Sequence, residues 1–440
     1  MKKVFIITGL TLLLMSVVSG SMFATTKITL LWRTNPYENK AINELVKAFE
    51  KKNPDIKVEQ IIVSWNEYEP KLSTMFASGN PPDIFSSVGA GGYADYAIRG
   101  IALDQSPYIK NDRIDLSIFY PQAIKGLEWQ GKILALPLGG GPSLMYYNVN
   151  LFNEAGLPGI PTDWNDKTWT WDKMVEYAKK LTKKESSGKI TQFGVVMDLW
   201  PKDAYAWLWG ASWFPEEAYE TGLCENSLVD DPNVIKSLQE FADLTWKHHV
   251  SPTPAESQMF QQFGGPFPSG KVAMGATGAW FFENWSNMVK NRFEWSVGAL
   301  PMGTQRKGVL FTDPWMIAKT SKHPKEAWEF VKFAVSKEGQ EVFMKGYVAF
   351  SLRRDMFSTV ESKVQSSVSK QALREAVLGA IEHSQESSNH RLVNWAEIEN
   401  LTNAELDRLL LGKASAKEVI STLKPKLDKL LQELSKKYSK

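Results

Sequence analysis

Residues 27–63 read KITLLWRTNPYENKAINELVKAFEKKNPDIKVEQIIV and carry two strand signals separated by one helix signal. Residues 27–32 are rich in β-forming side chains and end at the turn-prone sequence TNP. Apolar residues then recur at helical spacing until Asn53-Pro54, and residues 56–63 give the second strand signal. This stretch therefore predicts a strand, a helix and a second strand.

The same alternation continues after residue 63. We predict a helix that starts near Asn66, with Glu69 as its capping-box partner, and then a third strand over residues 83–88. Strands that alternate with helices specify a parallel sheet covered by helices, and a ligand binds beyond the carboxyl ends of such strands. Those ends lie at residues 32–35, 63–65 and 86–89.

Later segments have the same α/β character. We predict a helix capped by Thr170, a helix that starts at Pro324 and, after residue 345, a mainly helical chain whose last helix is capped by Ser415 and Glu418. Internal repeats and long linkers are absent from the sequence. If the chain forms two domains, it must therefore cross between them more than once.

The first 24 residues have the pattern of a secretory signal peptide. Two lysines precede an apolar run from Val4 to Val18, and small residues follow, so cleavage is expected after Ser21 or Ala24. No cysteine follows this run, so the usual lipid-anchor residue of a bacterial lipoprotein is absent. We therefore predict that residues 25–440 lie in the periplasm or outside the cell.

The composition excludes several classes of protein. More than 400 residues remain after the predicted signal peptide, which suggests two domains. The 51 basic and 49 acidic residues are interspersed, whereas nucleic-acid binding needs a concentrated basic face. Cys224 is the only cysteine, so no intramolecular disulfide forms. The 17 Trp, 13 Tyr and 22 Phe are more than a core requires, so we expect some of them in a wet cleft.

Five segments follow one another in a recognisable order: FEKKNPDIKV at 49–58, ASGNPPDIF at 77–85, GKILALP at 131–137, FPSGKVAM at 267–274 and AWEFVKF at 327–333. Together they resemble the family-1 extracellular solute-binding proteins, the group that contains maltodextrin- and trehalose-binding proteins. The resemblance covers nearly the whole chain after the predicted signal peptide.

The resemblance implies an α/β, type II-like periplasmic-binding-protein fold with two lobes, each a mostly parallel sheet flanked by helices. The N-terminal lobe would comprise residues 25–141 and 302–346, and the C-terminal lobe residues 142–301 and 347–440. A sugar, expected to be an oligosaccharide, would bind in the cleft between them. The protein would be a monomer without catalytic activity, metal or cofactor. It would deliver its sugar to the membrane permease subunits of an ABC importer.

Sugar recognition needs flat rings for the C–H faces and polar side chains for the hydroxyls. The resemblance places such groups at Trp280, Trp315, Asp313, Arg391, Asn394, Trp395, Trp32, Arg33 and Asn35. Further candidates at strand ends and in a loop are Trp65, Ser86, Ser87 and Trp200. Core packing is the alternative for each tryptophan, and a solvated loop is the alternative for residues 32–35. Gly139–Gly141 are interpreted as a hinge crossing.

Several other functions have weaker support in the sequence. A secreted glycoside hydrolase needs two carboxyl groups about 5–10 Å apart, but no local motif singles out such a pair. A non-sugar solute such as a polyol, glycerol phosphate or peptide remains an alternative, with Arg33 and Arg391 as partners for an anion. Gly89–Ala94 contains G-x-G-x-x-A, but it follows the third strand rather than the first. His248-His249 do not have metal-ligand spacing.

Overall fold

The computed structural model describes residues 25–34, 36–87, 92–290, 292–346, 350–358, 361 and 369–438. The predicted signal peptide, Asn35 and the first residues of the G-x-G-x-x-A motif lie outside these ranges. Within the ranges, none of the helices combines the length and the apolarity that a bilayer crossing requires.

The strands assemble into one large sheet and one short hairpin. Their bounds are β1 Thr26–Thr34, β2 Ile56–Ser64, β3 Ile84–Phe85, β4 Glu128–Trp129, β5 Lys132–Ile133, β6 Ala135–Asn148, β7 Lys183–Lys184, β8 Ile190–Met197, β9 Val272–Gly278, β10 Trp295–Gly298, β11 Gly308–Ile317 and β12 Ser384–Glu386. The large sheet has the order β2-β1-β3-β11-β6-β9-β8-β7, with β10 paired to β6 and β12 paired to β11, while β4 and β5 form the hairpin.

Helices cover the sheet and dominate the C-terminal part of the chain. Their bounds are α1 Pro36–Lys52, α2 Trp65–Ala77, α3 Tyr93–Ile98, α4 Ser106–Asn111, α5 Pro121–Gly126, α6 Val149–Glu154, α7 Trp171–Leu181, α8 Ala204–Trp207, α9 Glu216–Thr221, α10 Pro232–Trp246, α11 Pro254–Met259, α12 Phe282–Val289, α13 Pro324–Val335, α14 Lys337–Met344, α15 Lys370–Glu382, α16 Ser388–Arg391, α17 Trp395–Leu410 and α18 Ala416–Tyr438.

The opening β-α-β unit has the predicted form. β1 pairs in parallel with β2 over their full lengths, from Thr26 opposite Ile56 to Thr34 opposite Ser64. The predicted cap of α2 is wrong by two residues, because β2 continues to Ser64 and the helix begins at once. The Glu67 carboxylate accepts hydrogen bonds from the Ser64 hydroxyl at 2.7 Å and from its N–H at 3.3 Å. Glu69 instead accepts the Tyr96 hydroxyl.

The two longest strands of the large sheet, β6 and β11, join its two halves. The first part of β6 pairs with β11 and its second part pairs with β9 and β10. At Gly140 a third segment pairs from the other side, because Gly140 and Phe350 exchange both backbone hydrogen bonds. A Cβ atom on Gly140 would lie only 2.1 Å from the Phe311 carbonyl oxygen. The glycines of the predicted hinge crossing thus lie in a paired strand.

Separate hydrophobic cores lie on the two halves of the sheet. One cluster joins β1, β2, α1 and α13, and a second packs α2 and α3 on the other face of the same strands. A third cluster surrounds β8, β9 and β10 with α7, α12 and α15, and a fourth joins α10, α17 and α18. We call the strands β1, β2 and β3 with their helices the N-terminal lobe, and β7 to β10 with theirs the C-terminal lobe. The predicted residue boundaries of the lobes stay a prediction.

Candidate functional site

A buried arginine lies at one of the strand ends where the sequence predicts a ligand. Arg33, at the end of β1, is only 3% exposed and lies between the Trp32 and Trp65 rings, 5.0 and 5.1 Å from their centroids. Its guanidinium contacts Asp313 at 3.1 Å and Glu38 at 3.3 Å. We call Arg33, Glu38, Asp313 and Trp65 the arginine cluster. Two carboxylates thus balance its single positive charge.

Three partly exposed aromatic rings lie beside this cluster. The Phe311 ring stacks on Trp200, with centroids 5.3 Å apart and planes 13° apart, and meets Trp280 edge-on at 5.0 Å. We call these three residues the aromatic cradle. The Trp200 indole N–H donates to the Glu399 carboxylate at 2.6 Å. Phe311 and Asp313 are alternate residues of β11 and share one face, so the cradle and the arginine cluster are roughly 7 Å apart along the strand.

Glycine at position 278 determines where the Trp280 ring lies. β9 ends at Gly278, a single 3₁₀ turn follows, and the indole folds back over the end of its own strand. A Cβ atom on Gly278 would lie 2.0 Å from the Trp280 ring, whereas one on Gly141 would lie 3.5 Å away. The cradle therefore requires the absence of a side chain at residue 278.

Several predicted ligand contacts lie in the cores instead. Trp32 and Trp315 are fully buried and stack on each other, with ring centroids 5.4 Å apart, against Phe343. Trp395 packs on Phe214. These three rings have almost no exposed surface, and each packs on another aromatic ring. Ser86 and Ser87 are also fully buried, and the Ser86 N–H donates to the Tyr68 hydroxyl. The structure thus buries all five residues, and their role as ligand contacts stays a prediction.

Arg391 and Asn394 hold the C-terminal segment against the N-terminal lobe. The Arg391 guanidinium donates to the carbonyls of Gly126 and Glu128 at 3.0 and 2.9 Å and to that of Tyr219 at 2.7 Å. The Asn394 N–H donates to the Asp95 carboxylate at 2.9 Å. Arg391 thus joins the two lobes through backbone carbonyls and does not point its charge into the cradle.

Two residues at this site, Phe311 and its neighbour His390, are not among the predicted ligand contacts. A phenylalanine in an apolar strand usually indicates core. The position of Phe311 two residues before Asp313, on the same strand face, was the available signal. The His390 ring meets the Phe311 ring edge-on, with centroids 5.9 Å apart. Its Nδ1 atom lies 2.8 Å from a carboxylate oxygen of Glu386. Only the tertiary fold brings His390 there.

A fully buried carboxyl group lies between the loop after β8 and α16. Asp203 accepts a short hydrogen bond from the Ser388 hydroxyl, which also contacts the Tyr219 hydroxyl. Burial raises the pKa of Asp203 to about 7, and the nearby Glu399 adds to the increase. Asp203 is therefore a carboxyl group that the fold keeps partly protonated near neutral pH.

Asp203→Asn is expected to flatten the pH dependence of the melting temperature. The raised pKa means that the folded state retains a proton that the unfolded state releases, so stability falls as the pH rises from 3.8 to about 7. Each pH unit in this window costs up to about 1.4 kcal/mol. Melting curves between pH 4 and pH 8 measure the effect. Asp407→Asn, at an exposed site on α17, is the control, and equal slopes for both variants would contradict the prediction.

The described residues contain no group of three or more His, Cys, Asp or Glu side chains that would hold a metal ion. Cys224 is buried, and burial raises the pKa of its thiol to about 12, so it is not a reactive thiolate. The recognition groups that the cleft offers are therefore aromatic rings, paired charges and hydrogen-bonding groups.

Comparisons with known proteins give a matching family model and solved structures of the same fold. The family model described as bacterial extracellular solute-binding protein matches residues 35–341. The sn-glycerol-3-phosphate-binding periplasmic protein UgpB of Brucella melitensis is 24% identical over 426 residues, 92% of each chain. The ABC substrate-binding protein Lmo0181 of Listeria monocytogenes, solved in complex with cycloalternan, has a TM-score of 0.76 and 24% identity and covers 92% of this chain and 99% of its own.

A second solved structure has nearly the same architecture. The sugar-binding protein MalE of Xanthomonas citri has a TM-score of 0.75 at 17% identity, with 94% of this chain and 100% of that chain covered. At these identities the likenesses show the fold, and they confirm the predicted α/β, two-lobe architecture.

Proposed function

The chain belongs to the bacterial extracellular solute-binding proteins, and on this basis we propose that it captures a neutral sugar in the cleft and delivers it to the membrane subunits of an ABC importer. The observation that carries the proposal is the aromatic cradle next to the arginine cluster. Flat, partly exposed rings cover the C–H faces of a pyranose, while Arg33 and Asp313 supply a donor and an acceptor for hydroxyl groups.

Glycerol phosphate is the alternative ligand, because the compared UgpB protein is named for it. A phosphate needs a cation whose charge is not already balanced. Arg33 contacts two carboxylates, and Arg391 donates to three backbone carbonyls. A phosphate at Arg33 would lie near its two carboxylates, and a phosphate at Arg391 would displace its three carbonyls. The surroundings of these two arginines therefore favour a neutral sugar over a phosphate at either guanidinium.

The mechanism we propose is reversible capture without catalysis. The N-terminal lobe would comprise residues 25–141 and 302–346, the C-terminal lobe residues 142–301 and 347–440. The sugar contacts both lobes only when they close, so its binding energy shifts the population toward the closed form. We further propose that residues 1–24 are removed as a signal peptide and that the protein acts as a monomer with no nucleic-acid partner.

Thermal melting of residues 25–440 with a panel of mono- to trisaccharides tests the proposal. A ligand at 100 times its Kd is expected to add about 2.7 kcal/mol of stability, and chromatography should recover the sugar intact. sn-Glycerol 3-phosphate in the same panel tests the alternative. Stabilisation by that compound alone would replace the sugar assignment, and cleavage of a sugar would show that the protein is a hydrolase.

A further inference from the structure

Six consecutive polar residues lie buried next to the aromatic cradle. Residues 386–391 read ESSNHR, and each of them is less than a tenth exposed. They form the end of β12, the turn after it and the whole of α16. We call residues 386–391 the polar segment. Buried polar groups cost free energy unless they are hydrogen-bonded, so the partners of these groups indicate what the segment holds in place.

Ser388 of the polar segment holds the loop that carries Trp200. Its hydroxyl donates to the carboxyl group of Asp203, which lies three residues after Trp200. Ser388 is completely buried and Asp203 is 1% exposed, so water does not compete for this hydrogen bond. The same hydroxyl is 3.3 Å from the Tyr219 hydroxyl of α9. These contacts fix the loop after β8, and with it the backbone near Trp200, relative to α16.

His390 of the polar segment holds Phe311, the ring on which Trp200 stacks. Its ring meets Phe311 edge-on, and its Nδ1 atom is hydrogen-bonded to the Glu386 carboxylate. The same carboxylate accepts the N–H of Thr312, the residue after Phe311, at 3.2 Å. The pairing of β12 with β11 ends at Glu386, and its side chain takes over from the strand at this point. Glu386 therefore joins the His390 ring to the backbone beside Phe311.

The polar segment is itself anchored by contacts that involve no cradle residue. The Arg391 guanidinium donates to backbone carbonyls of α5, β4 and α9. A Cβ atom on Gly92 would lie 2.1 Å from the Asn389 carbonyl oxygen, so the start of α3 packs directly on the segment. Because the segment is fixed in this way, the side chains of Ser388 and His390 have defined positions from which to hold the two rings.

We propose that Ser388 and His390 are positioning residues for sugar binding, which hold Trp200 and Phe311 in their stacked arrangement without contacting the sugar. This inference rests on the proposed function and specifies which residues behind the site determine its affinity. Rings that are already held in the binding geometry lose less conformational freedom when a sugar binds. Loss of either contact is therefore expected to weaken binding even though both side chains are buried.

Ser388→Ala tests the first contact, and Ser387→Ala is its matched control. Both serines are completely buried, but the Ser387 hydroxyl donates to Asn389 within the polar segment. Ser388→Ala is expected to weaken binding of the tightest-binding sugar of the mono- to trisaccharide panel about tenfold, the worth of one buried hydrogen bond. Ser387→Ala should change the Kd less than about twofold. Calorimetric titration of residues 25–440 gives both values.

His390→Asn tests the second contact. Asparagine places its Nδ2 atom close to the position of the histidine Nδ1 atom, so the hydrogen bond to Glu386 is kept, but it presents no ring edge to Phe311. We expect the Kd for the same sugar to rise about fivefold, the worth of one edge-on ring contact. This variant carries the test if Ser388→Ala does not fold.

The indole N–H signal of Trp200 separates a positioning role from a general loss of stability. In protein with isotope-labelled tryptophan, this nuclear magnetic resonance signal is assigned by its loss in Trp200→Phe. The indole N–H donates to the Glu399 carboxylate, so its chemical shift reports the place of the ring. Ser388→Ala should move this signal in the absence of sugar, and Ser387→Ala should leave it unchanged. Melting temperatures report the loss of a buried hydroxyl in both variants.

The outcomes distinguish this inference from the proposed function. If both serine variants lower the melting temperature but leave the Kd and the Trp200 signal unchanged, the polar segment serves stability alone and the positioning role is refuted, while the cradle remains the sugar site. The role is refuted as well if the signal moves in Ser388→Ala and the Kd does not. If no sugar of the panel binds the unsubstituted protein, the proposed function fails and the positioning role fails with it.

Discussion

Gly140→Ala is expected to lower the free energy of unfolding by about 3–5 kcal/mol. The new methyl group would lie 2.1 Å from the Phe311 carbonyl oxygen and 2.8 Å from a Leu352 methyl group. Residue 140 is paired with β11 on one side and with Phe350 on the other, so the backbone has no free direction in which to move. Urea unfolding at constant slope measures the loss.

Gly141→Ala is the matched control for this prediction. It lies on the same strand, but a Cβ atom there would have no contact shorter than 3.5 Å. We therefore expect a change below about 1 kcal/mol, partly because alanine restricts the unfolded chain. Similar unfolding midpoints for the two variants would show that the crossing of β6 and β11 is not tightly packed, contrary to the geometry.

Trp280→Ala is expected to weaken sugar binding about 100-fold, or about 2.7 kcal/mol. The indole belongs to the 3₁₀ turn that follows β9, and its removal also leaves Phe311 without its edge-on partner. Trp280→Phe keeps a smaller ring on the same backbone and should lose less than tenfold. Calorimetric titration with the best sugar of the panel gives the Kd values.

The melting temperature without sugar controls for misfolding of the Trp280 variants. Trp280 is partly exposed, so its truncation should cost less stability than truncation of the buried Trp315. An unchanged Kd for Trp280→Ala would remove the cradle as the binding site and, with it, the main support for the sugar proposal.

Periodicity predicted the fold well where it was strong. The strand-helix-strand start has an unambiguous pattern: β1 and β2 lie within two residues of the expected bounds, and α1 ends at Lys52, just before the predicted stop at Asn53-Pro54. The predicted position of the α2 cap was wrong for a local reason. Ser64–Glu67 and Asn66–Glu69 both have capping spacing, and only the length of β2 decides between them.

The sequence predicted which strand ends carry the candidate site, but it did not predict the direction in which each side chain points. The Trp32 ring packs in the core with Trp315, whereas the Arg33 guanidinium pairs with Glu38 and Asp313, because successive strand residues point to opposite faces. On β11, simple alternation would place Trp315 on the same face as Asp313. Trp315 is nevertheless fully buried while Asp313 is partly exposed, and the pairing of β11 with β6 shifts register between Asp313 and Pro314, where Leu138 of β6 has no partner on β11. Such a shift is not visible in a single sequence.

The position of β11 in the sheet has a consequence for the order in which the chain becomes stable during synthesis. β3 ends at Phe85, but the partner of Phe85 across the sheet is Met316. The centre of the N-terminal lobe therefore cannot form until more than two hundred further residues have been synthesised. Until then the edges of β3 and β6 remain unpaired, and contacts this distant in sequence form slowly. Nascent chains that end before residue 308 are therefore expected to stay open to proteases and chaperones, because the N-terminal lobe lacks its central strand until then.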